Sequence, residues 1–131
     1  ESEVDKMEIR ESAEDYLERI LMLNKSMGQV RAVDIANLMN FSKPSVSIAL
    51  KKLRQNGYVN IDGGGYITLT ESGLEIAERV FERHRLISQL LMALGVDEQT
   101  AKEDACRVEH DLSVESFEAI KEYCRKNLQI Q

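Results

Sequence analysis

The pattern of apolar and polar positions along the chain predicts a mainly helical protein that contains one β-hairpin. Apolar residues at helical spacing predict a first helix over roughly 12–25, with Ser12 as its N-cap and Met27-Gly28 at its end. The apolar positions of this helix are Ala13, Leu17, Ile20 and Leu21. They form one stripe that can pack against a neighbouring element.

Two short helices joined by a tight turn are predicted next. The first spans Ala32 to Met39, and Asn40-Phe41-Ser42 forms the turn, because Asn tolerates a left-handed conformation. The hydroxyl of Ser42 can cap the following helix, and Pro44 fits the first turn of that helix. A C-cap signal at Asn56-Gly57 ends it. Two short helices around a three-residue turn are typical of a helix-turn-helix.

A β-hairpin follows, with β-rich residues at 58–61 and 66–69 on either side of the turn Asp62-Gly63-Gly64-Gly65. A hairpin directly after a helix-turn-helix predicts a winged helix, with the glycine-rich turn as the tip of the wing. We therefore predict a mainly α fold in which residues 1–72 form an N-terminal winged helix-turn-helix.

Residues 73–131 are predicted to form a C-terminal all-α domain for metal binding and dimerisation. A long helix starts at Thr70 and runs to about Leu94, a second starts at Asp97 and runs to about His110, and Ser113 caps a third. The apolar positions near the end of the chain are Leu112, Phe117, Ile120 and Tyr123. A chain of this length is not expected to bury all of them alone, which predicts a homodimer.

Composition excludes several classes of protein. The 131 residues are 43% apolar and 31% charged, an ordinary globular balance. No apolar run approaches the roughly 20 residues of a membrane helix, and the acidic start does not resemble a signal peptide. Two cysteines do not indicate a disulfide framework. We therefore expect a cytoplasmic protein that makes no contact with a membrane.

The net charge of −6 is unevenly distributed. Between Met27 and Gly57 there are five basic residues and one acidic residue, so this segment carries +4 and the remainder carries −10. A basic helix-turn-helix beside a wing predicts binding to double-stranded DNA, with lysines on phosphates and short hydroxyls at the groove. The candidate contact residues are Arg31, Ser42, Lys43, Pro44, Ser45, Ser47, Lys51 and Lys52. The alternative is a solvated helical hairpin in an all-α domain.

A second group of residues has the chemistry of metal ligands. Cys106, Glu109 and His110 stand at i, i+3 and i+4, so a helix places them on one face. His84 lies within the apolar stripe of the long helix, where it needs a partner or a metal. Asp15 and Glu18 in the first helix add oxygen donors. The alternative is a buried cysteine, a satisfied core histidine and solvated acids.

These residues belong to a longer pattern that resembles the diphtheria-toxin-repressor family of metal-dependent transcriptional repressors. The resemblance runs from about Ser12 to Tyr123 and is closest to the two-domain manganese-transport-regulator branch. The motifs that carry it are Ser12-Ala13-Glu14-Asp15-Tyr16-Leu17-Glu18, Ser42-Lys43-Pro44-Ser45-Val46-Ser47, Arg83-His84-Arg85-Leu86 and Asp104-Ala105-Cys106-Arg107-Val108-Glu109-His110. The resemblance implies a homodimer that binds Mn²⁺ or Fe²⁺, then binds palindromic operators and represses metal-uptake genes.

The resemblance assigns metal ligation to Asp15, Glu18, His84, Glu109 and His110. The manganese branch has Glu where this chain has Cys106, and the iron branch has Cys there but Met at position 15. Cys106 is therefore a sixth candidate ligand, through its thiolate or through its backbone carbonyl. The iron branch also has Gln where this chain has Ile48, so an apolar contact to a thymine methyl is expected to replace a hydrogen bond.

The choice of metal stays open between Fe²⁺ and Mn²⁺, with Co²⁺, Zn²⁺ or other divalent ions substituting in vitro. A bound Cys106 thiolate favours Fe²⁺, whereas its backbone carbonyl would leave an oxygen-rich Mn²⁺ site. Two other functions are weighed: a winged-helix regulator that senses a small organic ligand, and a metal-dependent hydrolase. The chain has no His-Glu-x-x-His motif and no evident general base, so we predict that it is not an enzyme.

Overall fold

The computed structural model describes the backbone of residues 3–130 and the side chains of residues 11–130. The elements in this part of the chain are α1 (Glu3–Met27), α2 (Ala32–Met39), α3 (Lys43–Gln55), β1 (Val59–Ile61), β2 (Ile67–Leu69), α4 (Glu71–Ala93), α5 (Glu98–Val108), α6 (Val114–Tyr123) and a π-helical segment (Cys124–Leu128). The predicted order of helices and hairpin is confirmed. No helix within the described residues is both long and apolar enough to cross a membrane.

The start of α1 differs from the prediction. The helix begins at Glu3, so Ser12 lies inside it and is not its N-cap. The residues before Ser12 are rich in Glu, Lys, Met and Arg, which are good helix formers, and the helix can therefore extend past an internal serine. A local capping motif was in this case outweighed by the propensity of the preceding residues.

The helix-turn-helix is built by local backbone chemistry. Asn40 adopts the left-handed conformation, with φ of 57°, that ends α2 and turns the chain. Ser42 then caps α3, because its hydroxyl oxygen accepts a hydrogen bond from the backbone N–H of Ser45 at 3.3 Å. Pro44 occupies the first turn of α3, where its missing N–H costs nothing.

The chain divides into two compact units, residues 1–78 and residues 79–131, which are separated within α4. The predicted domain boundary, between residues 72 and 73, lies in the first turn of the same helix. In the first unit α2 packs against α1 and α3, β1 contacts α3, and β2 contacts α1. The fully buried residues of this unit include Leu17, Ile20, Val30, Ile35, Val46, Val59 and Ile67.

The hairpin is joined to the start of α4. β1 and β2 pair antiparallel, with Val59 opposite Leu69 and Ile61 opposite Ile67. The hydroxyl of Thr70 donates a 2.6 Å hydrogen bond to the carbonyl of Gly57. Gly73 lies so close to the backbone carbonyl of Tyr58 that any Cβ there would overlap it. These contacts fix the base of the hairpin.

The second unit has its own small core. Leu86 of α4, Phe117 of α6 and Cys124 are buried together, and partly buried apolar residues pack around them. Asp97 caps α5 by accepting from the backbone N–H groups of Gln99 and Thr100, and Ser113 caps α6. The predicted start of α5 at Asp97 and the predicted cap of α6 are confirmed. The π-helical turn after α6 was not predicted.

Candidate metal centre and DNA interface

The second unit brings a nitrogen, a sulfur and an oxygen donor together. His84 projects from α4, Cys106 from α5 and Glu109 from the C-terminal end of α5. Nδ1 of His84 lies 3.0 Å from Oε2 of Glu109 and 3.6 Å from Sγ of Cys106. The three donor atoms all lie within 4.8 Å of one another. They form a compact group that we call the α4–α5 cluster.

Helix geometry explains why the cluster forms on α5. The backbone N–H of Glu109 donates to the carbonyl of Ala105, so the helical spacing from Cys106 continues to Glu109. His110 follows immediately, and its Nε2 lies 3.5 Å from Oε1 of Glu109. Glu109 and His110 are buried, with 1% and 8% of their surfaces exposed. The carboxylate of Glu109 thus has an imidazole on each side.

A buried carboxylate requires positive charge nearby. Hydrogen bonds first with the Cys106 thiol and then with the Glu109 carboxylate raise the pKa of His84 from its usual value to about 10, although burial opposes the charged form. In the protein without metal, a proton on Nδ1 of His84 therefore stands between the thiol and the carboxylate. That proton occupies the position at which a metal cation would be attracted.

The α4–α5 cluster fits a divalent metal. Bonds of about 2.0 to 2.3 Å to nitrogen, oxygen or sulfur, near the tetrahedral angle, place neighbouring donor atoms roughly 3.5 Å apart. The distances around Nδ1 of His84 are close to this value. Imidazole, thiolate and carboxylate are donors that first-row transition metals share. With both His84 and Cys106 deprotonated, the cluster would offer three donor atoms within 4.8 Å of one another.

The remaining predicted ligands lie in the first unit. Asp15 is partly buried, and Glu18 is buried one turn later on α1. Oε1 of Glu18 lies 3.4 Å from Nη1 of Arg19. Carboxylates three residues apart share one face of a helix, so both can serve a single site. Their part in metal binding stays a prediction.

The DNA-binding candidates lie on one face of α3. One face of α3 is buried in the core of the first unit through Val46, Leu50 and Leu53, and the opposite face is exposed. The exposed residues on and beside that face are Ser42, Lys43, Pro44, Ser45, Ser47, Ile48, Lys51 and Lys52. Ile48 is 59% exposed, so this face carries a large apolar side chain. The face therefore combines lysines, hydroxyls and one apolar side chain.

Arg31 has a neighbour that the sequence did not reveal. Its guanidinium carbon lies 4.4 Å from the centre of the Tyr66 ring, which places the arginine beside the hairpin. Its backbone N–H donates to the carboxylate of Asp34 at 2.9 Å, so the start of α2 is fixed. The pairing of Arg31 with Tyr66 was not predicted. The place of Tyr66 just after the glycine-rich turn is the signal that could have identified it.

Two family models together match most of the chain. Residues 8–65 match the N-terminal DNA-binding domain of iron-dependent repressors, and residues 70–127 match the metal-binding and dimerisation domain of the same proteins. The uncharacterized HTH-type transcriptional regulator MJ0568 of Methanocaldococcus jannaschii is 41% identical over 118 residues, which cover 88% of this chain and 94% of that protein.

The chain belongs to the iron-dependent repressor family. The transcriptional regulator MntR of Escherichia coli is 33% identical over 118 residues, which cover 90% of this chain and 76% of that protein. The solved structure of the manganese regulator SloR is similar with a TM-score of 0.77 and 31% identity, over 86% of this chain and 53% of that chain. The chain thus spans about half the length of the SloR chain in that structure.

Membership in this iron-dependent repressor family confirms several predictions. The resemblance to diphtheria-toxin-repressor proteins, including their manganese-regulator branch, is confirmed. The mainly helical fold, with a DNA-binding domain before a metal-binding and dimerisation domain, is confirmed as well. The predicted class, a metal-dependent transcriptional repressor, is confirmed at the level of the family. The members are transcriptional repressors, so the prediction that the chain is not an enzyme is confirmed as well.

Proposed function

We propose that this chain is a cytoplasmic, divalent-metal-responsive repressor that binds palindromic operator DNA as a homodimer and controls metal-uptake genes. The observation that carries this proposal is the α4–α5 cluster, in which Nδ1 of His84 lies within 3.6 Å of both a carboxylate oxygen and a thiol sulfur. A cluster of this composition, in a chain that also contains a winged helix, links metal chemistry to DNA binding.

We assign His84, Cys106, Glu109 and His110 as the metal ligands of the second unit. A bound divalent metal would supply positive charge beside the buried Glu109 carboxylate, and His84 would release its proton to solvent in order to bind it. His110 contributes its ring on the other side of the same carboxylate. The fold holds these donor atoms close together in the protein without metal.

Asp15 and Glu18 complete the proposed ligand set from α1. Two carboxylates on one face of that helix add the hard oxygen donors that iron and manganese accept. Metal binding that orders these ligands lowers the conformational entropy that is lost when the dimer binds DNA.

The sulfur of Cys106 favours iron as the physiological metal. Sγ points to the ring of His84 and belongs to the group of converging donor atoms. A soft thiolate binds Fe²⁺, Co²⁺ or Zn²⁺ in preference to Mn²⁺. The orientation of the side chain therefore supports thiolate ligation rather than ligation through the backbone carbonyl.

The proposed DNA surface is the exposed face of α3, with Arg31 beside the hairpin. Lys51 and Lys52 supply charge for phosphates, and Ser45 and Ser47 stand near the N-terminal half of the recognition helix. A homodimer presents two such helices, and palindromic half-sites about one DNA turn apart match that symmetry.

The test is an anaerobic anisotropy titration in reducing buffer, with DNA selected from a random duplex pool and with Mn²⁺, Fe²⁺, Co²⁺ and Zn²⁺ in turn. We expect tight DNA binding only when metal is present. We also expect the protein to sediment as a dimer. Glu109→Gln should abolish the metal response because it removes the buried carboxylate, whereas Glu103→Gln, an exposed change on the same helix, should leave it intact. A metal-independent wild-type protein, or a normal metal response of Glu109→Gln, would refute the proposal.

A further inference from the structure

Arg83 precedes His84 on α4 and is almost completely buried, with 7% of its surface exposed. Nη1 of its guanidinium donates two hydrogen bonds to backbone carbonyls, one to Glu109 at 3.1 Å and one to Leu112 at 2.7 Å. A buried guanidinium is costly unless its charge and its N–H groups are satisfied. The two hydrogen bonds from Arg83 therefore fix the position of residues 109–112, which follow α5, relative to α4.

The two carbonyls are good partners for a cation. They belong to the end of α5 and the turn after it, where carbonyls lack helical N–H partners and carry partial negative charge. The ring of Phe117 lies 5.2 Å from the guanidinium carbon and covers the group with a polarisable face. Arg83 thus joins three successive parts of the unit: α4, the end of α5 and α6.

Glu109 is held from two directions by neighbouring residues of α4. Arg83 binds its backbone carbonyl, and His84 binds its side-chain Oε2 at 3.0 Å. The first contact fixes where the residue lies, and the second fixes where its carboxylate points. Since His110 is the next residue in the chain, the same backbone anchor also places the second imidazole.

We propose that Arg83 is a positioning residue of the metal centre: it anchors residues 109–112 to α4, so that the Glu109 carboxylate faces His84, with His110 beside that carboxylate, before a metal binds. The inference rests on the proposed metal function and names a residue outside the proposed ligand set. Its consequence is pre-organisation. The cost of ordering the end of α5 is met during folding, and metal affinity is higher by that amount.

The experiment compares Arg83→Met with Arg107→Met. Arg107 is also an arginine in the last turn of α5, but its side chain is 79% exposed and pairs with Asp104. We measure Co²⁺ affinity of the full-length protein by competition with a chromophoric chelator, together with the visible Co²⁺ spectrum and the urea midpoint of the metal-free protein. Arg83→Met should lose roughly 10- to 100-fold in Co²⁺ affinity, the usual effect of removing a group that orients metal ligands. Arg107→Met should change affinity less than about twofold.

Arg83→Lys separates positioning from general stability. An ammonium keeps the charge, but its stem is shorter by one bond and it lacks the planar guanidinium, so it cannot hold both carbonyls in the same geometry. We expect it to fold near the wild-type urea midpoint, to bind Co²⁺ with intermediate affinity and to show an altered visible spectrum. If Arg83→Met does not fold, the Co²⁺ affinity and spectrum of Arg83→Lys test the positioning role.

The outcomes are distinct. Folded Arg83 variants with wild-type Co²⁺ affinity and spectrum overturn the positioning role and leave the proposed repressor function in place. A wild-type protein that binds no Co²⁺ overturns both proposals. Weakened binding in Arg107→Met to the same degree as in Arg83→Met also overturns the inference, because the effect would then follow net charge and not the anchor.

Discussion

Nδ1 of His84 lies 3.0 Å from Oε2 of Glu109, although the two residues are twenty-five positions apart in the chain. The contact places an imidazole of α4 against a fully buried carboxylate at the end of α5, with Sγ of Cys106 3.6 Å from the same nitrogen. A proton and a metal cation therefore compete for one position. The pH dependence of metal binding, the identity of the metal and the DNA response all follow from this arrangement and from the α3 surface.

Metal affinity should rise with pH. The pKa of His84 is raised to about 10, so below that pH the ring is mainly protonated and must lose a proton before it can bind a metal. Release of one proton makes Co²⁺ affinity increase about tenfold per pH unit, and deprotonation of a bound thiol steepens the dependence. Calorimetry between pH 6.5 and 8.5, in two buffers of different ionisation enthalpy, measures the protons released. A flat affinity over this range would show that His84 is not protonated in the metal-free site.

Cys106 should control the choice of metal. Thiolate ligation gives the Co²⁺-loaded protein a sulfur-to-metal charge-transfer band in the near ultraviolet, and Cys106→Glu should erase that band and move activation toward Mn²⁺. Cys124→Ala is the matched control, because this cysteine is buried in the core beside Leu86 and Phe117. It should keep the band at a cost in stability of about 1 kcal/mol. A wild-type protein that lacks the band and responds best to Mn²⁺ would contradict the iron assignment alone.

Ile48 should contribute to recognition of thymine. Its side chain is 59% exposed on the proposed DNA-binding face of α3, and an apolar group there can contact a thymine methyl in the major groove. Replacing thymine by deoxyuridine, one position at a time in a selected operator, should weaken binding about fourfold at the contacted base, from roughly 0.8 kcal/mol per methyl. Ile48→Ala should remove this sensitivity, whereas Val33→Ala, an exposed change on α2, should retain it. Equal sensitivity in all three proteins would place the methyl contact elsewhere.

Lys51 and Lys52 should act through phosphates. Both are exposed on α3, so Lys51→Ala with Lys52→Ala should weaken binding to every sequence and lower the log–log salt slope by about two, close to one per lost phosphate contact. The double change Lys102→Ala with Lys121→Ala removes the same charge from exposed positions of the metal-binding unit and serves as control. Anisotropy between 50 and 200 mM salt, roughly the range over which counterion release is measured, gives the slope. An unchanged slope in the α3 variant would move the DNA surface away from these lysines.

The sequence by itself determined the elements whose causes are local. Asn40 ends α2 and Ser42 caps α3 because each acts on backbone groups within a few residues. The three-residue step from Cys106 to Glu109 brings these two side chains together for the same reason. The motifs around these residues were also sufficient to identify the repressor family.

Only the tertiary structure decided the contacts between residues that are far apart in the chain. The approach of His84 to Glu109, the anchor from Arg83 to the end of α5 and the stacking of Arg31 on Tyr66 depend on how helices and hairpin pack. Periodicity tells which face of a helix is apolar, but it carries no information about which distant side chain that face meets. The start of α1 was mistaken for a related reason: a capping serine competes with the helix propensity of everything before it, and the whole segment, not the motif, sets the boundary.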